Sequence, residues 1–289
     1  MQRLGLLKIF GFEMEKDSYQ QVSGQKYECV LFDVDDTLYP LSSGISAEIT
    51  KNIAVICLFC GCLSQEYMVT KLGIDQTNVT EMALQLYKDY GTTMAGLRAI
   101  GYDFDYDDYH SFVHGRLPYE MLKPDPVLRN LLHSLPIRKV IFSNGNEAHV
   151  AQVVSRLGLE DCFDGVICFE TLNPTHNSSE PNDDDVSEIP KTPVICKPFE
   201  EAFEKAFKIA GMNPEKTLFF DDSIRNLKTA KSTGLHTIWV GSSHQTTGVD
   251  HALESIHNMR EALPELWEAI GASDVCSTEK AAIETPVRA

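Results

Sequence analysis

Short apolar runs alternating with helix-length stretches limit the fold of this chain more than any other feature. They lie at 27–33 (YECVLFD), 139–143 (KVIFS), 165–169 (GVICF), 217–221 (TLFFD) and 236–240 (HTIWV). Such runs are apolar on both faces, which suits strands buried inside a parallel sheet better than strands with one wet face. Between them, 147–157, 199–210 and 223–232 carry helical apolar spacing. Strand–helix alternation predicts an α/β fold, a doubly wound, Rossmann-like parallel sheet with right-handed crossovers. In open parallel sheets ligands bind beyond the carboxyl ends of the strands. Asp33, Ser143 and Asp221 all fall at such ends.

Residues 26–41 and 118–270 are expected to supply this core. From 42 to 117 the pattern is helical only, with turns near Gly73, Gly91 and Gly101. A small all-helical domain is expected there, inserted after the first strand and lying as a lid over the sheet edge, where it would keep water from a reaction. Residues 1–25 read as a flexible extension, because the short 1–12 stretch lacks the cleavage pattern of a signal peptide. The segment 173–193 (NPTHNSSEPNDDDVSEIPKTP) and the tail 271–289 have the composition of chain that buries no core, and both are expected to be disordered.

Composition narrows the partners. The formal charge of −17 argues against a nucleic-acid polymer or an anionic membrane as the main partner. No apolar run reaches the roughly 20 residues of a membrane span. A small phosphorylated molecule stays open, since it needs only local positive charge and backbone N–H groups. The eight cysteines are scattered, and Cys29, Cys168 and Cys196 sit inside strand-like runs. That is the usage of a reducing compartment, so a cytoplasmic or nuclear protein is expected. Cys57, Cys60 and Cys62 read as the buried face of a helix, because no second Cys/His pair follows to complete a zinc site.

The residues that carry chemistry gather at the strand ends. Asp33 and Asp35 (FDVDDTL) stand two apart where the chain leaves the first strand, so a turn can point both carboxylates into one pocket. Confined carboxylates repel, and a divalent cation relieves that repulsion. In the stretch 141–146 (IFSNGN), Ser143 and the loop N–H groups can donate to phosphate oxygens ahead of a helix N-terminus, although the same residues would serve as an ordinary helix cap. Lys197 opens a further helix and can neutralise a phosphoryl charge. Asp221 and Asp222 close the fourth run as an acidic pair suited to a hard cation with oxygen ligands, meaning Mg²⁺. His110 and His114 stand one helical turn apart, with no third ligand evident for a transition metal.

In this order, over roughly residues 27–240, the motifs resemble the haloacid dehalogenase superfamily, phosphatase branch. The resemblance implies Asp33 as nucleophile and Asp35 as general acid, then base. It implies Mg²⁺ held by Asp33, the Asp35 carbonyl, Asp222 and Asp221, the last through water. Thr37, Ser143, Asn144 and Lys197 would bind the phosphoryl group. Asp36 stands where many relatives have glycine, which puts the backbone geometry there in question. A finer resemblance, carried by 30–40 (VLFDVDDTLYP) and 90–101 (YGTTMAGLRAIG), is to the pyrimidine 5′-nucleotidase-like group. It brings Thr92, Thr93, Met94 and Arg98 forward as contacts to the leaving group, against the plainer reading that they pack a helix. A phosphotransferase with the same intermediate and a non-catalytic regulatory protein remain the alternatives.

Overall fold

The computed structural model describes residues 26–54, 67–174, 192–244 and 246–268. Six strands form one sheet: β1 (Cys29–Phe32), β2 (Arg138–Phe142), β3 (Gly165–Ile167), β4 (Thr217–Asp221), β5 (His236–Val240) and β6 (His251–Leu253). Their order is β3-β2-β1-β4-β5-β6, and every neighbouring pair is parallel. The chain is therefore an α/β protein with β1 at the middle of its sheet.

Alternation along β1 explains the layers. Val30 and Phe32 face one apolar cluster, and Cys29 and Leu31 face the other. All four are buried, as a strand covered on both sides must be. The first cluster is closed by α6 (Pro126–Ser134) and α7 (Glu147–Leu157), through residues such as Leu128, Leu132, Val150 and Val154. On the opposite face α9 (Glu200–Ala210) and α10 (Ile224–Ser232) contribute Phe203, Ala206, Leu227 and Ala230. The Phe32 and Phe220 rings stack at 5.1 Å between β1 and β4.

Ahead of α6, the described residues between β1 and β2 form helices α1 (Ile45–Ala54), α2 (Tyr67–Thr70), α3 (Val79–Tyr90), α4 (Thr93–Ala99) and α5 (Tyr106–Val113), with short 3-10 turns. They bury their own cluster, including Tyr67, Met68, Val79, Leu86, Leu97 and Val113, which also meets Phe169, Val194 and Cys196 from the sheet domain. Among the turns, Gly91 at φ 83° matters most. A Cβ there would lie 2.5 Å from the Lys197 carbonyl oxygen, so only glycine lets the helices approach the site loop this closely. Short helices α8 (Phe169–Leu172), α11 (Met259–Ala262) and α12 (Glu265–Glu268) complete the elements of the described residues.

Helix α6 and strand β6 add to the elements expected from sequence. The start of α6 is well specified, with Asp125 Oδ1 accepting from the Leu128 N–H and Pro126 in the first turn. Strand β6 has only three residues, too few to leave a periodic signal. The segments expected to be disordered lie mostly outside the described residues, as do Cys57, Cys60 and Cys62. The described ends of the acidic segment are tied down: Asn173 exchanges hydrogen bonds with the Ile195 backbone at 2.8 and 3.0 Å, and Thr192 donates to Ala95 O.

Candidate active site

Asp33 follows the last residue of β1, and its N–H still bonds Phe220 O at 2.9 Å, so the pairing of β1 with β4 fixes its backbone. The chain then turns sharply. Asp36 takes φ 57°, in the left-handed region that glycine prefers and aspartate tolerates better than most residues. The turn thus takes the conformation that a glycine at this position would favour, with the acid in its place.

Lys197 lies at the centre of the site and is almost completely buried. Its Nζ donates to Asp33 Oδ1 at 2.8 Å, to Asp221 Oδ2 at 2.8 Å and to Phe142 O at 2.9 Å, which uses all three of its protons. Asn144 clamps the lysine backbone in both directions, accepting from Lys197 N at 2.9 Å and donating to Lys197 O at 3.0 Å. Asp221 also accepts from Asn226 Nδ2 at 3.0 Å and from Ser223 N at 2.8 Å. Thr37 Oγ1 donates to Asp33 Oδ2 at 3.4 Å.

One ammonium among three carboxylates leaves this centre short of positive charge. Burial holds Asp33 well above the usual carboxylate range. Lys197 opposes that shift, while Asp221 and Asp35 add to it. Asp222 is raised as well, first by burial and then by Asp221, Asp33 and Asp36. Oxygen atoms of Asp33, Asp221 and Asp222 lie within 4.8 Å of one another. A set of hard oxygen donors with excess negative charge fits a small divalent cation such as Mg²⁺.

Asp35 has a different setting. Tyr39 OH donates to its Oδ1, and His149 Nε2 lies 2.7 Å from the same oxygen. Burial alone would raise its pKa, but the His149 imidazole and both hydrogen bonds outweigh burial and hold it below the usual range. Next to it, His110, His114 and His149 stack in a row with centroids 5.3 and 4.5 Å apart. Stacked faces do not converge their nitrogens on one point, and His114 Nδ1 instead meets Asn146 Oδ1 at 2.7 Å.

A cavity of about 550 Å³ separates these groups from the inserted helices. Asp33, Asp35, Asn144, Lys197 and Asp222 line its floor, and Ile49, Ile53, Ala83, Thr92, Thr93 and Met94 belong to its walls. Arg225 also lines it, while donating to the carbonyls of Tyr87 and Lys88 at the end of α3.

Three of the side chains expected to contact substrate do not line the cavity: Thr37, which is buried against Asp33, and Ser143 and Arg98. Ser143 is fully buried, and its Oγ accepts from Gly145 N at 3.0 Å instead of lining the cavity. Arg98 is not brought to the cavity; it pairs with Asp103 and lies over the Phe104 and Tyr106 rings. Several groups at the site carry no obvious mark in the sequence: Tyr39, Tyr119, His149 and Asn226. For His149 the available signal was its place early in the helix that follows the 141–146 loop.

An α/β sheet whose first and fourth strands bring acids together around a buried lysine, beneath a cavity, defines an enzyme built on carboxylate chemistry. The chain belongs to the haloacid dehalogenase-like hydrolases, whose family pattern matches residues 27–234. It is 26% identical over 224 residues to Phosphate metabolism protein 8 of Saccharomyces cerevisiae, an alignment covering 74% of this chain and 62% of that protein. Among solved structures, YfnB of Bacillus subtilis, a HAD hydrolase bound to magnesium, has 16% identity and a TM-score of 0.49, covering 83% of this chain and 100% of its own. L-2-haloacid dehalogenase of Xanthobacter autotrophicus, with chloropropionic acid covalently bound, has 17% identity and a TM-score of 0.49, covering 82% and 98%. No helix among the described residues is long and apolar enough to cross a membrane.

Proposed function

We propose that the chain is a Mg²⁺-dependent phosphomonoesterase that passes a phosphoryl group through Asp33, acting on a nucleoside 5′-monophosphate, pyrimidine preferred, or a similar small phosphate ester. The observation carrying this reading is the separation of two carboxylates with unlike environments at one cavity floor. Asp33 is engaged by Lys197, and Asp35 is engaged by a tyrosine and a histidine. Burial beside Asp221 and Asp35 raises Asp33, so a divalent cation would be what keeps this nucleophile ionised; Asp35, held low by His149 and Tyr39, would take up the proton it delivers when the phosphate ester binds.

In the proposed cycle an Asp33 oxygen attacks phosphorus while Asp35 gives a proton to the departing oxygen. Asp35, now ionised, takes a proton from the water that attacks the phosphoryl-aspartate. Asp33 is then released and inorganic phosphate leaves. Lys197 holds Asp33 in place and contributes positive charge beside the transferring group. Asp33, Asp221 and Asp222, with the Asp35 carbonyl, would hold Mg²⁺, which supplies the positive charge that this acidic centre lacks and stabilises the phosphoryl oxygens. Asn144 fixes the lysine backbone, and the inserted helices act as a cap that excludes water.

For the leaving group, the cavity walls are largely apolar, with Thr92 and Thr93 at their edge. That surface suits a nucleoside better than a second charged group. The yeast relative, named for phosphate metabolism, supports the phosphate-ester class.

The test is phosphate release from a panel of nucleoside monophosphates, sugar phosphates and phosphoglycolate, with and without Mg²⁺. Asp33→Asn is expected to fold and to lose turnover by about 10⁴-fold or more on every substrate. Substantial turnover in that variant rules the mechanism out.

A further inference from the structure

The environment of Asp35 contains more than an acid needs in order to exist. Its Oδ1 meets both Tyr39 OH and His149 Nε2, whereas its Oδ2 has no hydrogen bond among the described residues. The Asp35 side chain is 29% exposed and lines the cavity, so the free oxygen is the one available to a substrate.

His149 is itself held on several sides. Its Nδ1 lies 2.7 Å from Tyr119 OH, and its ring stacks on His114 at 4.5 Å between centroids. It packs so closely on Gly145 that a Cβ there would come within 2.9 Å of His149 Cδ2. The ring is 1% exposed. A carboxylate only accepts hydrogen bonds, so Nε2 is the donor to Asp35, while Nδ1 meets the Tyr119 hydroxyl. These two contacts and the stacked His114 ring fix the ring plane.

We propose that His149 is a positioning residue for Asp35. It anchors Oδ1 from helix α7, and so directs Oδ2 at the leaving-group oxygen. The inference rests on the reading of Asp33 as nucleophile and Asp35 as acid/base. Asp35 sits on a turn outside the sheet, and without His149 only the Tyr39 hydroxyl, four residues along the same turn, would restrain its carboxylate, leaving the direction of Oδ2 unset. Misplacing a catalytic group by about 1 Å costs about 100-fold in rate.

The experiment measures kcat/KM for p-nitrophenyl phosphate, phenyl phosphate and an alkyl phosphate in the full chain. Departure of p-nitrophenolate needs no proton, whereas an alkoxide leaves only with one. His149→Leu is expected to lower kcat/KM for the alkyl ester by about 100-fold and that for p-nitrophenyl phosphate by less than about threefold. His149→Gln, which keeps a donor, should recover about a tenth or more of the lost rate. Tyr119→Phe, which removes only the partner of Nδ1, should show the same dependence on leaving group at about 3- to 10-fold, and it decides the matter if the leucine variant does not fold. Equal losses on all three esters, or no loss, overturn the proposal. Turnover by Asp33→Asn in the same assay would instead sink the reading on which it rests, so the two failures are distinguishable.

Discussion

Acid should destabilise this protein through His110. The ring is 4% exposed, and neither nitrogen has a hydrogen-bond partner among the described residues. Burial first, and His149 second, push its pKa from 6.5 down to about 4. Below pH 6.5 the unfolded chain takes up a proton at this residue that the folded chain refuses until about pH 4. Stability therefore falls as pH drops through that window and levels off beneath it. Linkage gives about 1.4 kcal/mol per pH unit for one such group, hence about 2 kcal/mol between pH 7.5 and pH 5. Urea unfolding of the wild type and of His110→Phe at both pH values isolates this contribution, because the carboxylates and the other histidines titrate in both proteins. The pH-dependent loss should be about 2 kcal/mol smaller in the variant. Equal losses would show that His110 is not the neutral, buried group described above.

Substitutions at two further positions test the backbone. Gly91→Ala places a Cβ 2.5 Å from Lys197 O and 2.7 Å from Pro198 Cδ, at φ 83°. It should cost about 2–4 kcal/mol in denaturant unfolding and lower kcat by displacing the Lys197 loop; a variant with wild-type stability and rate would show that this contact is loose. At Asp36, with φ 57°, glycine should be tolerated within about 1 kcal/mol, whereas valine should cost about 2 kcal/mol. Equal melting temperatures for the two variants would contradict the left-handed conformation.

The sequence disclosed what local pattern can disclose. Asp33, Asp221 and Asp222 were legible because acids that end apolar runs have few purposes in a parallel sheet. Helix α7 was legible to the residue, being amphipathic and closed by Gly158 in the left-handed conformation. Roles set by distant neighbours were not. Lys197 was picked out by its place in the order of motifs, yet local pattern alone makes it an ordinary solvated lysine; its bonds to Asp33 and Asp221 at the ends of β1 and β4 come only from the fold. His149 reads as one more residue of a helix, and only the turn after β1 brings Asp35 to it, 114 residues away in sequence. Ser143 and Arg98 show the converse. Their chemistry suits a phosphate or a ligand, but Gly145 N and Asp103 are nearer.

The central position of β1 also governs how the molecule must be made. Cys29 pairs with Arg138 on one side, 109 positions later, and with Thr217 on the other, 188 positions later. During synthesis the strand that runs into Asp33 finds its first partner only when β2 is made and its second only when β4 follows, the situation in which chains are slow to fold and prone to stick to one another. Lys197, Asp221 at the end of β4 and Asp222 beyond it arrive later still than β2. Reactivity is thus withheld from every partial product on the ribosome and begins only when the last central strand slides into place.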